Sequence, residues 1–349
     1  MKKETICLNA EHNATLICYL WEGDAEYQTI GKRPGIIVIP GGGYEMCSER
    51  EADPIAVSYF QAGYQTFILR YAIQENKTWP NPLQDYEDAM SLIRANTEKW
   101  KVFPDKIAVV GFSAGGHLAG AAATMSQNRP NAAILGYAVL SKESSAMWNP
   151  SAPDIVSHVD ADTCPCFLFH SRSDRLVPVT NTIAFIEALE KTGVTFETHI
   201  YSFGPHGFST ANQMMQGPQP DTMSARVQHW VADSIGFLQE IFGTFGNCEM
   251  SKPLVGGFAF PEKAGILSLD CSVAALMHDP RSAPIVMPVM QNLQTEAGGE
   301  QDAMGASMDA EVMLSSISLK QMLSVFSNFT HAQITDLEEQ LAARNEVDV

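Results

Sequence analysis

The sequence predicts an α/β protein built on a doubly wound, mostly parallel sheet. Over roughly the first 245 residues, runs of apolar, β-branched residues alternate with helical patterns. Some of these runs, such as Gly35–Ile39, are apolar at nearly every position, which is typical of parallel strands covered on both faces. With 349 residues, 45% of them hydrophobic and 18% charged, the chain can bury a sizeable core and has room for an addition to one large domain.

Local patterns predict the individual elements. Ala14–Leu20 is expected to form an antiparallel edge strand. Pro82 suits the start of a helix, because the first helical N–H has no intrahelical partner. Further strands are predicted at Gln65–Tyr71, Lys106–Val110, Ala132–Leu140, Cys166–His170 and Thr195–Tyr201, and helices at Asp53–Ala62, Pro82–Trp100, Ser113–Met125, Thr180–Thr192 and Thr222–Phe242.

The pattern changes after Gly246, which predicts two domains, residues 1–246 and 247–349. Glycines and a proline between Gly256 and Gly265 suggest a linker, and the composition of Gln294–Met308 suggests a mobile loop. We expect the remainder to form a small helical module that serves as a cap or an interface. Its helical patterns are Leu267–Met277, Ser318–Phe326 and Thr335–Ala343, with capping boxes at Ser318–Gln321 and Thr335–Glu338.

Charge and composition argue against several classes of function. Lys and Arg number 22 against 40 Asp and Glu, and the net charge of −18 disfavours binding to nucleic acid or to anionic lipid. The sequence contains no run of about 18 apolar residues, which is the length that a membrane-spanning helix requires. The N-terminus lacks the apolar stretch of a secretory signal, and the seven cysteines are scattered and never spaced as CxxC. These features favour a cytoplasmic protein with reduced thiols over a disulfide framework or a zinc site.

The strongest chemical signal is the segment GFSAG at 111–115, where a predicted buried strand runs directly into a helix of small residues. A Gly-x-Ser-x-Gly motif in this context forms a tight turn that presents the serine hydroxyl above the sheet, at a helix N-terminus that favours negative charge. Side chains at Gly111 and Gly115 would collide with neighbouring backbone. The pattern predicts that Ser113 is a nucleophile, the alternative being a merely tight-packed turn.

A nucleophilic serine needs a base and a group that orients the base. In this topology both follow the serine along the chain, the acid first. His206 comes directly after the last predicted strand, in a Gly- and Pro-rich turn, and the other eight histidines fit this place less well. Asp174 follows the penultimate strand. We therefore predict a Ser113, Asp174 and His206 triad; the alternatives are a histidine that satisfies a turn and a charge at a helix N-terminus.

A Gly-rich loop, PGGGY at 40–44, follows the strand that ends at Ile39. Glycine lets the backbone turn its N–H groups toward a small anion. We predict an oxyanion hole formed by Gly42 or Gly43 together with Ala114. A phosphate-binding loop is disfavoured, because neither a GxGxxG spacing nor a Walker lysine is present.

These segments resemble those of the α/β-hydrolase superfamily over residues 36–242. The resemblance rests on PGGGY (40–44), GFSAGGHLAG (111–120), SRSDRLVP (171–178) and GPHGFS (204–209), and is greatest to carbohydrate esterases of the acetylxylan- and feruloyl-esterase type. It implies an eight-stranded sheet, the same triad, and no metal or organic cofactor. One departure is Pro40, which stands where related lipase-type esterases carry histidine in HGGG.

The resemblance implies a serine esterase that removes acetyl or feruloyl groups from plant-polysaccharide sugars, with a small-molecule or oligosaccharide ester as substrate. The segment from Leu140 to Cys164 is too short for a large cap, so an open site is expected. Aromatic contacts to substrate are predicted from Tyr44, Trp79 and Phe208, with packing as the alternative. A homo-oligomer is compatible with the sequence. Two other functions stay open, a prolyl-oligopeptidase-like peptidase, although no β-propeller pattern is present, and a non-catalytic scaffold.

Overall fold

The computed structural model describes residues 1–22, 30–212, 223–245, 250–251, 253, 265–296, 314–315, 317–325 and 329–345. The chain divides into two compact units, residues 1–257 and 258–349. The sequence predicts the boundary at residue 246, and the predicted linker between Gly256 and Gly265 lies almost wholly outside the described residues.

The first unit is built on one eight-stranded sheet with the order β1-β2-β4-β3-β5-β6-β7-β8. β1 pairs antiparallel with β2 and β2 antiparallel with β4, while β3 to β8 all run parallel to one another. This confirms the predicted fold class. The strands are β1 Lys2–Asn9, β2 Ala14–Leu20, β3 Arg33–Ile39, β4 Gln65–Arg70, β5 Val102–Phe112, β6 Ala132–Gly136, β7 Cys166–Ser171 and β8 Phe196–Tyr201.

The edge strand is β1, so the prediction that Ala14–Leu20 forms the edge was wrong. β1 alternates half-buried and exposed positions from Lys2 onward, because only one of its faces packs on the core. Because many residues of β1 are polar, the alternation of its buried and exposed positions is not visible in the sequence. The other predicted strands are present, with ends shifted by a few residues.

Helices cover both faces of the sheet, as the doubly wound prediction requires. On one face Tyr86, Leu118 and Phe185 pack in a single buried cluster with the strands, and on the other Tyr59 and Trp230 do so. The helices are α1 Asp53–Gln61, α2 Asn81–Ala95, α3 Thr97–Trp100, α4 Ser113–Thr124, α5 Lys142–Ala146, α6 Thr180–Thr192 and α7 Trp230–Phe242.

The parallel strands place six loops at one edge of the sheet, since strands that run in the same direction end on the same side. The loops after β3, β4, β5, β6, β7 and β8 all begin there. Three of them hold the predicted nucleophile, acid and base, and a fourth holds the Gly-rich segment 40–44.

The second unit is helical, as predicted, with α8 Val273–His278, α9 Ala283–Glu296, α10 Leu319–Val325 and α11 His331–Ala343 around a small apolar core. The capping box at Ser318–Gln321 is present, since each residue accepts the other's backbone N–H. The box at Thr335 was wrong, because Thr330 and Gln333 cap α11 five residues earlier in the chain and Thr335 lies inside the helix.

Sequence reasoning missed α9, which contains Pro288 in its interior. Residues 297–308 of the predicted mobile loop lie outside the described residues. Within the described parts of both units, no helix has the length and apolar character needed to cross a membrane.

Candidate active site

Ser113 lies at the turn between β5 and α4, with a left-handed backbone (φ 52°) that a non-glycine residue rarely adopts. A Cβ atom on Gly111 would lie 2.3 Å from the Gly115 carbonyl oxygen. A Cβ on Gly115 would lie 2.2 Å from the Ile39 carbonyl oxygen. Strand and helix therefore approach so closely that only glycine fits on either side of the serine, as the motif predicts.

The structure brings the three predicted triad residues into one hydrogen-bonded line. His206 Nε2 lies 2.9 Å from Ser113 Oγ, and His206 Nδ1 lies 2.7 Å from Asp174 Oδ2. A carboxylate can only accept, so Nδ1 carries the imidazole proton and Nε2 is left to accept from the serine hydroxyl. This is the arrangement that general-base activation of a serine requires.

Asp174 is buried, and both of its oxygens are engaged. Oδ1 accepts the backbone N–H groups of Leu176 (2.9 Å) and Val177 (3.0 Å), while Oδ2 faces His206. Burial alone would raise the pKa of this carboxyl. Hydrogen bonds from His170 and His206, together with the backbone, instead hold the pKa well below its usual value. Asp174 is therefore ionised at neutral pH and can stabilise a positive imidazole.

His170, at the end of β7, is a neighbour of the triad that sequence reasoning passed over. It is fully buried, and its Nε2 lies 3.4 Å from Asp174 Oδ2. Its ring is fixed by Thr182 Oγ1 at 2.8 Å and by the Val177 carbonyl at 3.0 Å. A histidine that ends a strand carries no distinctive sequence signal, and only the tertiary fold shows that it helps to hold the acid.

The oxyanion loop, residues 40–44, passes directly beside the nucleophile. Gly42 (φ 131°) and Gly43 (φ 63°) both adopt backbone conformations that favour glycine. The Gly41 N–H is bonded to Glu51 Oε2 at 2.8 Å. By contrast, no group among the described residues accepts the N–H of Gly42 or of Gly43. Ala114 is the second residue of α4, where a helical N–H has no intrahelical partner.

A cleft of about 700 Å³ opens over this site. Its walls include Gly42, Gly43, Ser113 and His206, and its apolar surface comes from Met46, Trp148 and Leu176. Trp148 packs directly on the oxyanion loop, since a Cβ on Gly43 would lie 2.8 Å from its ring.

Two of the three predicted aromatic contacts were wrong, those of Tyr44 and Phe208. Tyr44 is buried and bonds to His117 Nδ1 at 2.7 Å, and Phe208 is buried against Tyr137 and Phe169. Trp79 packs edge-on against His117 and is absent from the cleft wall. Tyr44 and Phe208 stabilise the loops from behind, because an aromatic ring beside a backbone turn is buried as readily from the core side as from the cleft. Trp79 is only partly buried, and its contact to substrate stays a prediction.

His117 ties these loops together beneath the cleft. It is fully buried, and burial lowers its pKa to about 4. Its Nε2 donates to the Pro153 carbonyl at 3.0 Å, which leaves Nδ1 to accept from the Tyr44 hydroxyl. A neutral His117 therefore joins α4 to the oxyanion loop. Within the described ranges, no group of three or more His, Cys, Asp or Glu side chains is placed to hold a metal ion.

An eight-stranded, mostly parallel sheet with a serine, an acid and a histidine on the loops after β5, β7 and β8 defines the class of the α/β hydrolases. Comparison with known proteins agrees. The chain is 40% identical to an α/β hydrolase from a Medee basin deep-sea metagenome, known as MGS-M1, whose crystal structure it matches with a TM-score of 0.65 over 69% of this chain and 98% of that one. The chain belongs to the α/β-hydrolase superfamily.

Within that superfamily, the family model described as BD-FAE matches residues 25–131. The chain is 30% identical over 227 residues to endo-1,4-beta-xylanase B of Butyrivibrio fibrisolvens, covering 56% of this chain and 35% of that protein. It is 29% identical over 229 residues to an acetylxylan esterase of Xylanibacter ruminicola, covering 59% and 46%. The chain thus spans between a third and a half of the length of these relatives.

Proposed function

We propose that this protein is a serine carboxylic-ester hydrolase that removes acetyl or feruloyl groups from plant-polysaccharide sugars. The observation that carries the proposal is the line from Ser113 through His206 to Asp174, beside a loop whose Gly42 and Gly43 N–H groups have no acceptor among the described residues. A nucleophile, a base, an orienting acid and oxyanion donors are the groups that acyl transfer through a serine requires.

In the first half of the reaction Ser113 Oγ attacks the ester carbonyl carbon, and His206 Nε2 takes the hydroxyl proton. The carbonyl oxygen becomes an oxyanion, which accepts from the free N–H groups of the oxyanion loop and of Ala114. When the tetrahedral intermediate collapses, the ester C–O bond breaks. His206 gives its proton to the departing sugar hydroxyl, and the acyl group stays on Ser113.

In the second half a water molecule replaces the alcohol. His206 removes a proton from the water, whose oxygen attacks the acyl-serine carbonyl. The same donors stabilise the second oxyanion, and collapse returns the proton to Ser113 as the carboxylic acid leaves. Asp174 keeps its negative charge throughout and stabilises the imidazolium in both halves, which agrees with its lowered pKa.

Two observations support a sugar ester as substrate. The apolar surface from Met46, Trp148 and Leu176 lies in an open cleft, which suits an ester on a bulky polar chain. In addition, the two curated relatives are by name a xylanase and an acetylxylan esterase. These names concern those proteins, and they motivate acetylated xylo-oligosaccharides as the first substrate to test.

The test measures acetate release from acetylated xylo-oligosaccharides beside hydrolysis of 4-nitrophenyl acetate and of methyl ferulate. Ser113→Ala serves as the control, with folding checked by circular dichroism. We expect turnover of the aryl ester and of the acetylated xylo-oligosaccharides or methyl ferulate, each abolished in the variant. Turnover of the aryl acetate alone would retain the mechanism and overturn the sugar substrate. Turnover that persists in Ser113→Ala would overturn the mechanism.

A further inference from the structure

A buried carboxylate lies between two of the loops that form the site. Glu51 is only 3% exposed, although Glu49 and Arg50, which precede it in one turn of 3-10 helix, are exposed. Its Oε2 accepts the Gly41 N–H at 2.8 Å, and its Oε1 accepts the Tyr137 hydroxyl at 2.6 Å. A buried carboxylate is costly unless both oxygens are bonded, so this placement requires both partners.

The first partner belongs to the oxyanion loop. Because the Gly41 N–H is bonded to Glu51, which is one of the residues that line the cleft, the next two amides are those left without an acceptor among the described residues. The fit is tight: a Cβ on Gly41 would lie 2.8 Å from Glu51 Oε2 and 3.0 Å from Ser113 Cβ. Any shift of the carboxylate is therefore transmitted to the backbone beside the nucleophile.

The second partner leads to the segment that carries the base. Tyr137 donates to Glu51 and accepts the Ser209 N–H at 3.1 Å, three residues after His206. Its ring also contacts the His206 imidazole, edge to face, with 5.1 Å between centroids. The Ser209 hydroxyl in turn donates a hydrogen bond to the carbonyl of Arg50, the residue before Glu51. The hydrogen bonds therefore link the segment after His206 back to the segment that carries Glu51.

We infer that Glu51 is a positioning residue for the proposed ester hydrolysis, fixing the oxyanion loop directly and the backbone after His206 through Tyr137. The inference rests on the proposed function, since it concerns the same acyl transfer. A side chain that sets the direction of oxyanion donors affects the transition state more than substrate binding, so its loss is expected in kcat and much less in KM.

The charge of Glu51 supplies a second readout. Besides Tyr137, the titratable groups that face it are His206 from the loop after β8, Tyr71 from the loop after β4, and Arg50 next to it in the chain. A negative charge near His206 favours the imidazolium form. Removing that charge should therefore move the acid limb of kcat/KM to lower pH, whereas a purely structural loss would leave the limb in place.

The experiment compares Glu51→Gln and Tyr137→Phe with two matched controls away from the cleft. Asp85→Asn alters another buried carboxylate that accepts a backbone N–H, and Tyr59→Phe removes another buried tyrosine hydroxyl, which bonds to Ser234. Each variant is checked by circular dichroism and thermal unfolding. The assays are kcat and KM on 4-nitrophenyl acetate across pH, and the rate at which an alkyl fluorophosphonate labels Ser113.

We expect Glu51→Gln to lower kcat and the labelling rate by ~10- to 100-fold with KM changed by less than about threefold. The acid limb should shift down by roughly half a pH unit or more. Tyr137→Phe should lower kcat by a smaller factor, about 3- to 10-fold, without that shift, because the charge remains. Both controls should stay within about twofold of the original protein.

A folded Glu51→Gln variant with kcat and labelling within twofold of the controls would overturn the inference. If that variant does not fold, Tyr137→Phe is compared with its control Tyr59→Phe instead. A folded Tyr137→Phe variant whose kcat and labelling rate lie within twofold of those of Tyr59→Phe would then overturn the inference. Failure of the proposed function is a different result, since the unaltered protein would then show no Ser113-dependent turnover. The labelling rate separates the two cases, because it reports the nucleophile and its oxyanion donors for any acyl substrate.

Discussion

Two buried aspartates of the first unit, Asp174 and Asp85, are each paired with a partly exposed histidine, and only the pair formed by Asp174 continues to a serine. Asp174 and His206 meet at 2.7 Å, and His206 continues to Ser113. Asp85 and His12 meet at 2.9 Å, and the second oxygen of Asp85 accepts the Ala72 N–H at 2.7 Å. No serine or cysteine is bonded to His12 in the described residues, so the second pair holds a loop in place and has no nucleophile to activate.

The two carboxyls also differ in how fully they are bonded. Asp174 faces two histidines and two backbone N–H groups, which together hold its pKa well below the usual value despite burial. For Asp85, burial outweighs the bonds from His12 and Ala72 and raises the pKa. A buried aspartate beside a histidine is thus not a catalytic sign by itself. The number of donors around the acid and the group beyond the histidine distinguish the pairs.

The largest expected effect is on activity, in Asp174→Asn against Asp85→Asn. An amide at position 174 favours the wrong imidazole tautomer and removes the charge that stabilises the imidazolium, so kcat should fall by roughly 10⁴-fold. Asp85→Asn should remain within about twofold. Steady-state kinetics on 4-nitrophenyl acetate, with folding checked for both variants, measure the ratio. A comparable loss in both would show that the pairs are not functionally distinct.

The next largest effect concerns Ser113, the residue to which His206 is bonded. Gly115→Ala leaves both pairs intact, but its Cβ would lie 2.2 Å and 2.4 Å from the carbonyl oxygens of Ile39 and Pro40. Because backbone must move, we expect kcat to fall by about 100-fold and the free energy of unfolding to fall by about 2–3 kcal/mol.

The matched control for that variant is Gly236→Ala in α7, where an added Cβ has no neighbour within 4 Å. Alanine is the better helix former, so this control should be stabilised by ~0.5–1 kcal/mol and keep full activity. Denaturant titration and kinetics on the pair of variants test both statements. An active, stable Gly115→Ala protein would contradict the close approach.

A smaller effect is expected on stability at neutral pH. Asp174→Asn loses hydrogen bonds that favour the charged form and should lower the free energy of unfolding by about 2–3 kcal/mol. Asp85→Asn removes a charge whose burial is only partly compensated, so its loss should be below about 1 kcal/mol. Urea denaturation of both variants beside the unaltered protein gives the comparison, and the reverse order would refute it.

The smallest effect is the pH dependence of these differences. The lowered pKa of Asp174 gives a stabilisation that is complete above about pH 4, the value in the unfolded chain, and is lost as the pH falls further. The raised pKa of Asp85 acts with the opposite sign, so its contribution is complete below about pH 4 and is lost as the pH rises through the folded value.

Denaturation between about pH 3 and pH 6 should therefore show two opposite trends. The stability deficit of Asp174→Asn should shrink toward low pH, because the unaltered protein loses its advantage there. Asp85→Asn should gain stability relative to the unaltered protein as the pH rises. Parallel trends for the two variants would contradict the assigned pKa directions.

The sequence by itself determined the fold class and the chemistry-bearing residues. Strands that are apolar on both faces must be covered on both faces, and a parallel sheet between two layers of helices is the arrangement that does this. The glycines around Ser113 are required by a turn that has no room for a Cβ atom. The positions of Asp174 and His206 follow because strands that run in the same direction bring the loops after them to one edge. Each of these signals is local or follows from chain order.

Only the tertiary structure decided which side chains face the cleft and which support it from behind. Tyr44 and Phe208 turn into the core, while Glu51, Tyr137 and His170, which have no motif, are bonded to the groups that the motifs identify. The bond between Glu51 and Tyr137 joins residues 86 positions apart, on loops after different strands. A hydrogen bond between such residues depends on the packing of the whole sheet, and no local pattern encodes it.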